Sequence, residues 1–467
     1  MIACIVRKEF LEMTRDGRFL WAGGITMALL LMSLIAGWAH YTEVRRQHET
    51  ARATAREHWL HQGKKNPHSA AHYGVYAFKP KMPLSLVDQG ADAYLGVAVY
   101  LEAHKQNEFK YRPAQDGNTL QRFGQLTAAA VLQLLLPLLI VLLSFSAYAG
   151  EREQGTLRQL LSLGVRRSEI AIGKGLGIAG ALGLLLVPSA LIGAAVLSMA
   201  ADNGSFAASL PRMGLLTLFY LLYFGVFVGV SLAVSARARS SRLALVTLLA
   251  FWIFNCLLAP RAASDLARWL YPTPSAFEFA RAMEREAAEG QQERMEELRR
   301  QLFAKYNVSR IEDLPVNFSG VSLQAGEEHG NEVFDRHYTS LWDTFERQNR
   351  FHERTAAVAP LLGVRALSMG LAGTGFEQHR DFARAAENYR REFVKLLNED
   401  LAYNGAGQGS AYMGDEELWA KVPDFHYEAP GVGWVMANHA GALALLGGWF
   451  LAAVAFAAAS VSKVRVD

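Results

Sequence analysis

Six long apolar runs, over residues 19–41, 125–148, 169–200, 213–235, 243–260 and 433–461, decide most of what this chain can become. About 20 apolar residues cross the hydrocarbon core of a bilayer as a helix, and a segment spanning that core must satisfy its backbone internally, as helices and closed barrels do. Mean hydropathy is nonetheless only +0.09, so a large polar share dilutes the spans. That share lies in two insertions, residues 42–124 and 261–432. The expected fold is an all-α membrane protein, with six transmembrane helices and a large, mainly helical extracytoplasmic domain.

Sidedness follows from the bases. Arg7, Lys8, Arg15, Arg18, Arg237, Arg239, Arg242, Lys463 and Arg465 flank the spans on one side, and an excess of Lys and Arg marks the cytoplasmic side. Both termini then lie in the cytoplasm and both insertions lie outside. The second insertion holds more acids than bases, which argues against a nucleic-acid partner. Cys4 and Cys256 fall outside both insertions, so the sequence implies no disulfide framework.

Residues 1–18 read as an amphipathic interfacial helix, with Ile2, Ile5, Val6, Phe10 and Met13 as its apolar stripe. In the first insertion Glu43–Leu60 reads as helix, residues 66–74, 79–83 and 88–90 as turns, and Tyr94–His104 as a short helix or strand. Residues 201–212 read as a short outer loop. In the second insertion Ser275–Tyr306, Glu327–Ala359 and Phe376–Leu401 read as helices, and Ile311–Ser322 as extended chain.

The link Gly150–Lys174, between spans two and three, is charged and short. Gly155-Thr156 can start a helix, and Leu157, Leu160 and Leu161 then share one face. Such a helix either docks a soluble partner or is a solvated loop that fixes topology. Lys174 can snorkel to the inner interface. Away from their ends the spans hold two amides, Gln133 and Asn255, and a helix-interrupting Pro137. The amides are either a site for a polar group of a substrate or interhelical hydrogen bonds, and the latter are common.

No G-x-x-x-x-G-K-[ST] phosphate loop, H-E-x-x-H zinc motif or G-x-S-x-G elbow occurs, so no catalytic, nucleotide-binding or cofactor-binding residue is assigned. Histidines gather in the first insertion: His48, His58, His61, His68, His72 and His104. On a helix His68 and His72 would share a face, as metal ligands do. Asn66-Pro67 and Gly74 argue for a turn instead, so these histidines are read as hydrogen-bonded, and no metal site is assigned beyond His68 and His72 as its candidates.

The run Glu151, Glu153, Gly155, Thr156, Leu157, Leu160, Leu161, Arg166, Gly173 and Lys174 resembles the signature of ABC-2 type transporter permeases. The runs at 66–74, 101–104, 312–320 and 326–328 are similar to a subgroup with large insertions after spans one and five. The resemblance implies a permease subunit, an exporter, in a bacterial inner membrane, with the large domain periplasmic. It implies that the residues from Glu151 to Arg166 couple to two copies of an ATP-binding cassette subunit, which carries the ATP and Mg. A second permease, identical or related, would pair with this one among membrane lipid. Gln133, Pro137 and Asn255 are the candidate residues of a translocation path. An alternative is mechanotransmission, in which the same motion acts on an envelope partner. A membrane-anchored hydrolase is disfavoured by the missing motifs.

Overall fold

The computed structural model describes residues 1–110, 126–200 and 205–464. The ends of the expected segments at 111–125, 201–204 and 465–467 lie outside them. Among the described residues six helices are long and apolar enough to cross a membrane: Phe19–Leu60, Ala128–Glu153, Arg167–Ala200, Ser209–Arg237, Ser241–Leu270 and Ala440–Ser462.

Four of these helices differ in extent from the expected spans; span six, expected from residue 433, starts at Ala440 after a separate helix, Val432–Asn438. Span one does not stop at an interface. It runs without a break to Leu60, so Glu43–Leu60 is its continuation, and Arg45–Glu49 and Arg46–Glu43 pairs support the exposed part. Residues 205–212, expected as loop, belong to the helix Ser205–Arg237, whose early turns accommodate Pro211. Span five passes residue 260 and ends at Leu270. Pro260 is tolerated there because it stands in the first turn after a π-helical turn, Phe254–Leu258.

The two insertions build one body around the extension of span one. Trp59 is buried against Phe393 and Trp419, and its Nε1 donates to the Trp419 carbonyl at 2.9 Å. The helix Phe376–Asn404 supplies Phe382, Phe393 and Leu397 to the same core. A two-stranded antiparallel ribbon, Val75–Phe78 with Ala98–Leu101 in the register Val75↔Leu101, is the one departure from helix among the named elements. Residues 66–74 are not a turn. Asn66 caps and Pro67 opens a helix, Pro67–Tyr73, with the Asn66 side chain accepting from the His68 N–H at 3.0 Å.

The second insertion is also more helical than expected. Ser275 starts Ala276–Ala288 with a reciprocal capping box to Glu278, and Gly290, in the left-handed conformation, separates it from Gln291–Tyr306. The stretch expected to be extended to Ser322 becomes helical at Phe318. Asn317 caps it there, and the helix continues to Thr355. A further helix, Pro360–Ala372, is buried along most of its length and packs against spans four and six.

Candidate functional site

At the end of the bundle opposite the insertions, the N-terminal helix Ile2–Arg15 lies along span three. Gly173, Gly177 and Gly180 make that approach possible. A Cβ on Gly173 would stand 2.6 Å from Ile5, and one on Gly177 would stand 2.5 Å from the Glu9 Cβ. Glu9 is thereby carried to Lys174, which does not snorkel. Its side chain is 1% exposed, and its Nζ donates to Glu9 at 2.7 Å and reaches Glu151 at 2.9 Å. Lys8 adds a 2.5 Å hydrogen bond to the same Glu151 oxygen. An isolated buried charge would be untenable, and this cluster compensates each one. It ties the N-terminal helix, span two and span three to one point.

The Gly150–Lys174 link hangs from this point. Glu153 accepts from the Ser241 backbone N–H at 2.8 Å and from its hydroxyl at 2.7 Å, holding the start of span five. Arg152 caps the end of span four through the carbonyls of Ala236, at 2.6 Å, and Ala238, at 2.5 Å. Gly155 turns the chain at φ +75°, and Thr156–Ser162 follows as a helix, with the Thr156 hydroxyl on the Glu151 carbonyl. Leu157 is buried, while Leu160 and Leu161 pack half-buried against the bundle core. Arg158, Gln159 and Arg166 are exposed, and so is Leu163 at 76%. The helix therefore has an anchored face and a free one.

Toward the insertions, Gln133, Pro137 and Asn255 meet in one junction. Pro137 cannot bond the carbonyl four residues back, at Gln133, and the Tyr223 hydroxyl donates to that carbonyl at 3.1 Å. Gln133 lies in a π-helical turn, Val131–Leu135, and Asn255 lies in the one at Phe254–Leu258. The Gln133 amide donates to Tyr220 at 3.1 Å and accepts from Arg365 at 3.4 Å. Asn255 donates to Tyr223 at 3.2 Å and accepts from the Leu361 N–H at 3.2 Å. From Tyr220 the chain of bonds continues through Ser368 at 3.0 Å to Asp88, in the first insertion, at 2.5 Å. Burial pushes the Asp88 carboxyl above its ordinary value. Tyr220, Tyr223, Ser368 and Asp88 had no signal in the sequence, because their partners come from distant elements. Beside the junction an apolar cavity of about 200 Å³ opens between Leu34, Leu197, Met213 and Phe224.

A third cluster joins the two insertions. His68 and His72 stand on one face of Pro67–Tyr73, and His104 closes on them, with ring centroids 4.9 Å from His68 and 5.2 Å from His72. Burial, with the neighbouring imidazoles, lowers the His68 and His72 pKa values.

Six apolar helices, a buried ionic anchor at one end and a hydrogen-bonded junction at the other define a multi-pass helical membrane protein. A family model described as ABC-2 family transporter protein matches residues 3–302, and the chain belongs to that family. A second model, described as a domain of unknown function (DUF3526), matches residues 276–428, most of the second insertion. The chain is also similar to a probable ABC transporter permease protein NosY of Pseudomonas aeruginosa, at 34% identity over 129 residues. That match spans 27% of this chain and 45% of the relative.

Proposed function

We propose that the chain is the membrane-spanning subunit of an ATP-binding cassette exporter, driven by a separate ATPase that docks on Thr156–Ser162 from the cytoplasm of a bacterial cell. The observation that carries this reading is the two-faced helix. Leu157 fixes it to the bundle, and Leu163 and Arg158 stay exposed on a segment whose base is tied to spans two, three, four and five. A push on it therefore reaches four spans. Orientation follows the basic flanks, with both termini inside and the insertions in the periplasm. Two ATPase subunits and a second permease complete the assembly. Hydrolysis belongs to the ATPase, with its ATP and Mg. Gln133, Pro137 and Asn255 sit where the moving spans meet, and the apolar cavity beside them suits an amphiphile.

The test begins with the chain purified from gently solubilised membranes, with mass spectrometry of what accompanies it. An ATP-binding cassette protein near stoichiometry is expected. Leu163→Asp with Arg158→Glu, both on the exposed face, should release it while leaving the chain in the membrane. Retention of the ATPase by this variant sinks the docking surface. A second reading, mechanotransmission, is favoured by the unbroken bond chain from Gln133 through Ser368 to Asp88, which ties the spans to the insertions. ATP-dependent solute movement across sealed vesicles would exclude its purely mechanical form.

A further inference from the structure

The histidine cluster carries more than hydrogen bonding between rings. The His68 Nδ1 faces the Asn398 Oδ1 at 3.0 Å. That oxygen only accepts, and the Asn398 amide nitrogen is committed to Gln324 at 3.2 Å, so the His68 Nδ1 carries the hydrogen. The His104 Nδ1 faces the Glu327 carboxylate at 2.7 Å and likewise donates. In neutral rings both Nε2 atoms then present bare lone pairs, and these two atoms point at one another across 3.0 Å. Two lone pairs at that distance repel unless a proton or a metal cation satisfies both. The edge of a tetrahedron with metal–nitrogen bonds of about 2.0–2.1 Å measures about 3.3–3.4 Å, so the gap needs to open only slightly. The available nitrogen of His72 falls in the same group, with all three ligand atoms within 4.8 Å of one another.

The surroundings are built to hold this arrangement. Glu327 is buried, and the oxygen that takes the His104 ring also takes its backbone N–H at 2.6 Å. The other Glu327 oxygen is held at 3.0 Å by Arg390, which is fully buried and braced by Glu387. His104 itself adopts a left-handed backbone, φ +64°, a conformation that costs energy for a residue with a side chain. A carboxylate and an amide oxygen on the remote nitrogens of two imidazoles are the partners that orient metal-bound histidines and raise their basicity.

We propose that His68, His72 and His104 bind one divalent late first-row transition cation, with Glu327 and Asn398 as positioning residues. Three imidazoles suit zinc, copper or nickel. His72 and His104 are exposed, so a fourth position stays open to solvent. The cation would fasten the helix Pro67–Tyr73 to His104 within the first insertion, and the hydrogen bonds of His68 to Asn398 and of His104 to Glu327 connect that site to the second.

The experiment uses the full chain in detergent, stripped with a chelator and titrated with Zn²⁺ by calorimetry and with Co²⁺ by its visible absorption. One equivalent per chain is expected, with the ligand-field band of tetrahedral cobalt, and zinc should raise the melting temperature as a ligand of the folded state does. His72→Ala removes an exposed ring, so its metal-free melting curve should match the parent's; His104→Asn keeps the left-handed backbone but gives up the ring's contact with Glu327, so its zinc binding is measured below its own, lower, melting temperature. Each should weaken zinc binding at least ~10-fold, the lower end of what loss of even an outer partner costs. His58→Ala, at an exposed histidine outside the cluster, should bind as the parent does. Absence of a stoichiometric site, or zinc binding that His72→Ala and His104→Asn leave intact, overturns the proposal. Neither ATPase nor transport enters this readout, so it stands or falls apart from the exporter reading.

Discussion

Lys174 shows how a single side chain can be misread from sequence and still be central. A lysine at the edge of an apolar run normally extends its ammonium to water. Here the glycines at 173 and 177 bring Glu9 against span three, and the ammonium turns inward to two carboxylates. Lys8 touches the same carboxylates but remains 39% exposed, so solvent screens its contribution. Lys174→Met should therefore cost about 3 kcal/mol or more of stability, as loss of one partner from a buried ionic cluster does. Lys8→Met should cost far less. Adding Glu151→Leu to Lys174→Met should restore part of the loss, since the stranded charge is removed with its partner. Denaturation of the purified chain in detergent measures all three, and equal losses from the two lysines would show that the burial has no energetic consequence.

At the scale of the element, the N-terminal helix and span three are a matched pair. Even an alanine at Gly177 would meet Glu9, so Gly177→Leu forces the helices apart at a cost of about 1–3 kcal/mol. Gly183, on the same span, has open space where a Cβ would go, so Gly183→Leu serves as the control. Limited proteolysis should trim the N-terminal helix faster in Gly177→Leu only, and identical digestion would refute the packing role. The same pairing explains what could be read from sequence. Six spans were legible because runs of that length leave the backbone little choice in lipid. The helix Pro360–Ala372 was not, because its 13 residues are too few to mark a span and its burial comes entirely from distant neighbours. Asn66-Pro67 reads as a turn, although the same two residues can serve as N-cap and first turn of a helix, and only the packing around Ala70 and Ala71 chooses between them. The segment 150–174 was legible as a two-faced helix, but its tether to Glu9 required a contact across 165 residues of chain.

In the whole molecule, the insertions are not uniformly attached to the spans. One part is continuous with the membrane bundle. Pro360–Ala372 lies against spans four and six, Ser368 bonds Asp88, and the Leu361 N–H bonds Asn255. The arm formed by Ala276–Ala288 and Gln291–Tyr306 is the opposite case. Its first helix buries no side chain and its second buries only Leu302. Arg336 and His337 hold it through Glu286, but exposed ion pairs of this kind contribute little. Local opening should follow that difference in burial. Hydrogen exchange on the full chain in nanodiscs should label Ala276–Ala288 early and Pro360–Ala372 as late as span four. Both readings of the function need the insertion body to follow the spans, and only mechanotransmission needs the arm to follow as well. Late exchange throughout the arm would mean that a surface outside this chain covers it, and would move the weight from the exporter to the mechanical reading.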